Sequence, residues 1–203
     1  MTEPILILGQ PRSGTSMTAG IFAQHGVWTG TCREGNQFNE KGFFENLPIK
    51  KIIIAMQGRV VHAGVLGQPM EGFRAHVLAA IYDDGYRSGP WLWKGSALYW
   101  PAFYEFKAKI IVCRRPAGQI FDSCRSSEVI FGKELPDDLL RENIAIHHKQ
   151  MDYLVDMGAK EVDTWAVAQG DYTSILFALE YCGIEYDFKR TASFVDSSLW
   201  KHE

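Results

Sequence analysis

The chain has 203 residues, with 21 Lys plus Arg against 24 Asp plus Glu, a formal net charge of −3 and four cysteines; a charge so near neutral gives no global attraction for a polyanion such as nucleic acid. The thiols Cys32, Cys113, Cys124 and Cys182 are scattered without C-x-x-C spacing, and Cys113 falls in an apolar run, which argues against a disulfide scaffold or a zinc site and for reduced cysteines. Residues 1–203 are expected to form a single domain that buries about 70% of its unfolded surface, and a soluble, cytoplasmic protein is expected because the start is too short for a signal h-region and no run approaches the ~20 apolar residues of a membrane span.

Apolar strand-like runs alternate with helical patterns, the signature of an α/β fold with a central parallel sheet covered by helices on both faces, a three-layer α/β/α arrangement. Residues 5–8 are the first predicted strand. From Gly14 to His25, Met17, Ile21 and Phe22 recur at helical spacing and Gly26 is a stop. A polar, glycine-rich stretch from Thr29 to Gly42 precedes a helix started by Pro48, with Ile49, Ile52, Ile53 and Met56 on one face up to Gly58. Residues 64–69 are a loop, Glu71 to Tyr86 a helix, and Trp91 to Trp93 a short strand. Lys109 to Cys113 is the clearest second buried strand, and Pro116 opens a helix running to about Ser127. Pro136 to Met157 is a long amphipathic helix ended by Gly158, Val162 to Ala168 a strand, Tyr172 to Cys182 a helix closed by Gly183, and the remainder an irregular tail.

The chemistry is concentrated where the first strand ends. Gly9-Gln10-Pro11-Arg12-Ser13-Gly14-Thr15-Ser16 keeps the G-x-x-x-x-G spacing whose backbone N–H groups wrap a phosphate at a helix N-terminus. Thr15 stands where a nucleotide triphosphatase has Lys. That lysine bridges the outer phosphates of ATP, so a loop with Thr15 there and a cation at Arg12 suits a shorter anion. Pro11-Arg12-Ser13-Gly14-Thr15-Ser16 resembles the 5′-phosphosulfate-binding loop of sulfotransferases that use 3′-phosphoadenosine-5′-phosphosulfate. The resemblance implies a P-loop NTPase-like sulfotransferase fold. It gives Arg12 the transferring sulfonate and bridging oxygen, and Ser13, Gly14, Thr15 and Ser16 the 5′-phosphate.

Arg114-Arg115-Pro116, followed by Asp122 and Ser123, leaves the 109–113 strand at the end where an open α/β sheet binds ligands. It resembles the family's Arg-x-Pro and helical Ser, which bind the donor's 3′-phosphate. The proline register puts Arg114 first. Ser123 lies nine residues after Arg114 and eight after Arg115, and the second is the family's usual interval, so Arg115 stays as the alternative. Strand alternation sends neighbouring side chains to opposite faces, so one of the two is expected at the phosphate.

Attack by an alcohol on sulfur needs a base within hydrogen-bond reach of the acceptor oxygen. Phe38-Asn39-Glu40-Lys41-Gly42-Phe43-Phe44-Glu45-Asn46 resembles the Asn-Pro-Lys-Gly-Tyr-Phe-Glu-Asn stretch of bacterial and phage-type relatives, with Glu40 replacing the proline. Glu45 is the preferred base, with Glu34 and Glu40 as alternatives. Lys94, beyond the second predicted strand, is placed to offset charge on the departing phosphate or to bind the acceptor. Here the chain reads Lys94-Gly95-Ser96-Ala97, without the family's Asp-Pro-Arg. Residues 194–200 resemble the bacterial tail, yet the Arg-Lys-Gly stretch that clasps the 3′-phosphate in cytosolic members is absent, and Arg125 is a possible substitute. One of Trp28, Trp93 or Phe43 is a candidate to stack on adenine or acceptor. His147 and His148 diverge by ~100° on a helix and do not share a metal, and His25 reads as a helix C-terminal cap.

These readings point to a sulfotransferase moving a sulfonate from 3′-phosphoadenosine-5′-phosphosulfate, its donor co-substrate, to a hydroxyl or amine of a small-molecule, saccharide or lipid acceptor. No metal and no nucleic-acid partner is implied. The alternatives are a small-molecule P-loop kinase using ATP and Mg²⁺, disfavoured because neither Trp91 to Trp93 nor Ile110 to Cys113 ends in Asp, and a non-catalytic nucleotide-binding protein.

Overall fold

Strand β1, Ile5–Gly9, is buried along its whole length, as a strand covered on both faces must be. It pairs in parallel with β2, Leu92–Ser96, on one side and β3, Lys109–Arg114, on the other; β4, Lys160–Asp163, extends the sheet beyond β3 in the order β2-β1-β3-β4. The register sets Gly9 beside Ser96 and beside Cys113, so the ends of the three strands form one edge. The computed structural model describes residues 3–36, 39–57, 71–126 and 135–196. Phe38, Gly58, the 64–69 loop, Ser127 and residues 197–200 lie outside them.

Alternation along the strands feeds two cores. Leu6, Leu8, Trp93 and Val112 meet helices α2 (Leu47–Gln57), α3 (Phe73–Asp83) and α5 (Asp137–Asp156), and the 3-10 segment Ala97–Phe103. Ile5, Ile7, Leu92, Ile111 and Val162 meet α1 (Thr15–Gln24), α6 (Thr164–Ala168) and α7 (Thr173–Cys182). The molecule is therefore α/β, with helices on both faces of a four-stranded all-parallel sheet. Helix α4 (Ala117–Ser126) packs on α5 through Ile120, Cys124, Leu140 and Ile144. No helix among the described residues is long and apolar enough to cross a membrane.

Two expectations are corrected. The strand expected over 162–168 stops at Asp163, because the Asp163 carboxylate accepts the Ala166 N–H at 3.0 Å and starts α6. The tail is not irregular throughout: α8, Phe188–Phe194, is capped by Asp187, which accepts the Arg190 N–H at 3.1 Å, and it packs on α1. That packing is close. A Cβ on Gly20 would lie 2.1 Å from Phe194 Cζ. All four cysteines are free thiols.

Candidate anion-binding site

The loop between β1 and α1 is built to be tight. A Cβ on Gly9 would lie 2.5 Å from Ser13 Oγ, 2.8 Å from Thr15 Cγ2 and 3.1 Å from the Cys113 carbonyl oxygen, so only glycine lets the loop fold back over the sheet edge. After Gln10 and the half-buried Pro11, Arg12 holds a left-handed φ of 74°, a conformation that is costly for a side-chain-bearing residue and persists only where its surroundings impose it. Gly14, at φ 84°, is the N-cap of α1 and supplies no side-chain hydrogen bond; no acidic residue stands in the first turn. The first-turn N–H groups have no intrahelical acceptor, and the positive end of the helix dipole lies there. Ser13 Oγ is fully buried and has no hydrogen-bond partner among the described residues. Thr15 is buried and Ser16 half-buried at the start of the helix.

Two guanidinium groups converge on this loop. Arg12 Nε donates to Ser123 Oγ at 2.9 Å, and Arg115 Nη1 donates to the Arg12 carbonyl at 3.1 Å, while Arg115 Nε donates to Gln119 Oε1 at 3.2 Å. Ser123, fully buried on α4, thus aims Arg12. Burial lowers the Arg12 pKa; burial and then the charge of Arg12 bring Arg115 down to about 10. No carboxylate pairs with Arg12 among the described residues. Arg114 goes elsewhere: it pairs with Asp152 at 2.8 Å and Glu161 at 3.0 Å. The loop therefore meets Arg115, through the Arg12 carbonyl, rather than the arginine favoured by the proline register, and Ser123 meets Arg12. Arg125 is also turned away, to Leu135 O and Asp137.

Lys94 reaches the first turn of α1 from β2. Its Nζ lies 3.2 Å from Ser16 Oγ and 3.2 Å from Glu45 Oε1, and Glu45 Oε2 lies 2.5 Å from Lys50 Nζ. Ser16 Oγ donates to the Phe43 carbonyl at 3.3 Å, which ties the 39–46 loop to α1. Asn46 then caps α2 by accepting the Ile49 N–H at 2.9 Å. Burial lowers the Lys94 pKa against the pull of Glu45. Burial pushes Glu45 up, but Lys94 and Lys50 outweigh it and leave the carboxyl lowered, so Glu45 is a weaker base than a free carboxylate. Glu34 and Glu40 are exposed. Trp93 is buried in the core against Phe103, Trp28 packs on Tyr86, and Phe43 lies under Arg33.

Supporting contacts of Thr164, of Gln10 with Asn143 and of Ser96 with His147 escaped sequence reasoning. Thr164 Oγ1 lies 2.8 Å from the Ser13 carbonyl and 2.7 Å from that of Arg114, pinning the loop to the end of β3. Gln10 Nε2 donates to Asn143 Oδ1 at 3.3 Å, and Ser96 Oγ contacts His147 Nε2 at 2.9 Å. For the Thr164 and Gln10 contacts the partners are 151 and 133 residues apart, and no local pattern announces them. His147 lies one helical turn after Asn143, which is the only signal the sequence carries. Compared with models of known protein families and with curated protein sequences, the chain matches none.

Proposed function

We propose that this chain is a sulfotransferase with a P-loop NTPase-like fold, transferring a sulfonate from 3′-phosphoadenosine-5′-phosphosulfate to a hydroxyl or amine of an acceptor. The observation that carries the reading is Arg12, a half-buried cation with no carboxylate partner among the described residues, held by Ser123 at an uncapped helix N-terminus. A buried positive group without a counter-charge is unfavourable unless an anion completes it. Arg115 beside it adds to the same field.

In this reading the loop N–H groups and Ser13, whose hydroxyl is buried without a partner among the described residues, hold the 5′-phosphate. Arg12 contacts the sulfonate. Lys94 offsets the charge that builds on the leaving phosphate, and Glu45 fixes Lys94 in place. Positioning of donor and acceptor supplies the remainder of the rate.

Calorimetric titration with 3′,5′-adenosine bisphosphate against ATP plus Mg²⁺ tests it, with Arg12→Ala and Arg115→Ala beside the parent. Binding of the bisphosphate that weakens at least tenfold in both variants is expected. Tight binding of ATP with Mg²⁺ and none of the bisphosphate would install the kinase reading instead.

A further inference from the structure

Ser96 ends β2 directly beside Gly9, the first residue of the anion loop. Its Oγ lies 2.9 Å from His147 Nε2, and His147 Nδ1 lies 2.9 Å from the Asn143 carbonyl. A carbonyl only accepts, so the proton sits on Nδ1 and the bare lone pair of Nε2 faces the serine, which donates to it. Ser96 Oγ also accepts the Leu98 N–H at 3.2 Å. One hydroxyl lone pair is left over. His147 is buried, at 3% exposure, whereas Ser96 is half-buried, so the serine is the accessible end of the pair. The same turn of α5 is fastened to the loop, because Asn143 Oδ1 accepts from Gln10 Nε2.

We infer that Ser96 and His147 form the proton-accepting pair for the acceptor, with Ser96 Oγ touching the acceptor hydroxyl and His147 acting through it. This rests on the sulfonate-transfer reading. Glu45, both of whose oxygens are engaged by lysines, is left as the electrostatic partner of Lys94. As the acceptor oxygen forms its bond to sulfur, its proton passes to Ser96 Oγ and the serine proton passes to His147 Nε2. The bond from sulfur to the bridging oxygen breaks, and its electron pair leaves on the 5′-phosphate. The imidazolium returns its proton to solvent afterwards, so donor and alcohol become sulfate ester, bisphosphate and one proton.

The surroundings keep the ring neutral. Of the elements packed on α5, β1 carries no ionisable side chain, the 3-10 segment carries Tyr99, β3 carries Lys109, Cys113 and Arg114, and α4 carries Asp122, Cys124 and Arg125. Burial lowers the His147 pKa from the ordinary 6.5, the hydrogen bond to the Asn143 carbonyl opposes that, and the charge of the neighbouring His148 adds a smaller lowering.

The test measures sulfate released into water from radiolabelled 3′-phosphoadenosine-5′-phosphosulfate across pH, for the intact chain and for Ser96→Ala, Ser96→Thr and His147→Gln, with bisphosphate affinity measured in parallel. The parent rate is expected to rise with pH through a group titrating below 6.5 and then level. Ser96→Ala and His147→Gln should lose that limb and about 10²-fold or more in rate, Ser96→Thr should keep both, and all should bind bisphosphate like the parent. Ser96→Ala changes little volume, so it decides the matter if His147→Gln does not fold. Unchanged rate and limb in Ser96→Ala, with Arg12-dependent bisphosphate binding, would overturn the pair and leave sulfonate transfer standing. A parent that binds bisphosphate but releases no sulfate also overturns the pair, and one that binds no bisphosphate overturns both.

Discussion

Replacing Glu45 by Gln and replacing Lys94 by Met remove the same ion pair, yet the two should differ in stability by about 2 kcal/mol. Lys94 has 7% of its side chain exposed and Glu45 has 23%, and Glu45 keeps Lys50 at 2.5 Å when Lys94 is gone. At an effective dielectric of about 20, charges 3.2 Å apart attract by roughly 5 kcal/mol, most of which offsets desolvation. Glu45→Gln strands the more deeply buried charge. Stranding one member of a buried pair costs about 3–5 kcal/mol, and the Ser16 contact holds the value near 3. Lys94→Met leaves a carboxylate that is partly solvated and still paired, and costs about 1 kcal/mol. The double variant should resemble Lys94→Met.

Urea unfolding at pH 7 reads these differences, and a loss of about 3 kcal/mol corresponds to roughly 6–12 °C in Tm for a chain of this size. The pH dependence supplies a second check. Burial lowers the Lys94 pKa from 10.5 and Glu45 opposes that, so Glu45→Gln lowers it further. Between the folded and unfolded values the unfolded chain binds more protons, and stability rises with pH. The Glu45→Gln deficit should therefore shrink from neutral pH toward 10.5. A Lys94→Met variant less stable than Glu45→Gln, or a deficit that does not move with pH, would refute the reasoning.

Gly9→Ala should destabilise by about 1–3 kcal/mol in thermal unfolding, because the new Cβ presses on Ser13, Thr15 and the Cys113 carbonyl, and it should weaken bisphosphate binding by displacing Ser13. Thr164→Val keeps the volume and removes the hydroxyl that holds the Ser13 and Arg114 carbonyls; a loss of about 1–3 kcal/mol in urea unfolding is expected, with a looser anion loop seen as weaker bisphosphate affinity in calorimetry.

Much of the fold is legible in residues that act locally. The β1 run, the glycines at 9 and 14 and the start of α1 follow from strand propensity and turn sterics alone, and so do the bounds of α3, α4 and α7 to within a few residues. The 162–168 segment misled because its apolar residues suit either element, and the decision fell to one capping bond from Asp163. The seven-residue α8 misled for a different reason: a helix so short is held by packing on α1 rather than by its own propensity.

The sequence by itself determined that a tight glycine-bounded loop closes the first strand and that cations and a carboxylate-bearing loop accompany it, because spacing along the chain sets backbone conformation. Only the tertiary structure decided which of those residues meet. Arg115 rather than Arg114 faces the loop, Glu45 rather than Glu34 or Glu40 reaches Lys94, and Ser96 finds His147. The reason is physical: a side chain's partner depends on which strand ends the parallel register brings level and which helix crosses them, and those contacts join residues 49 to 103 positions apart.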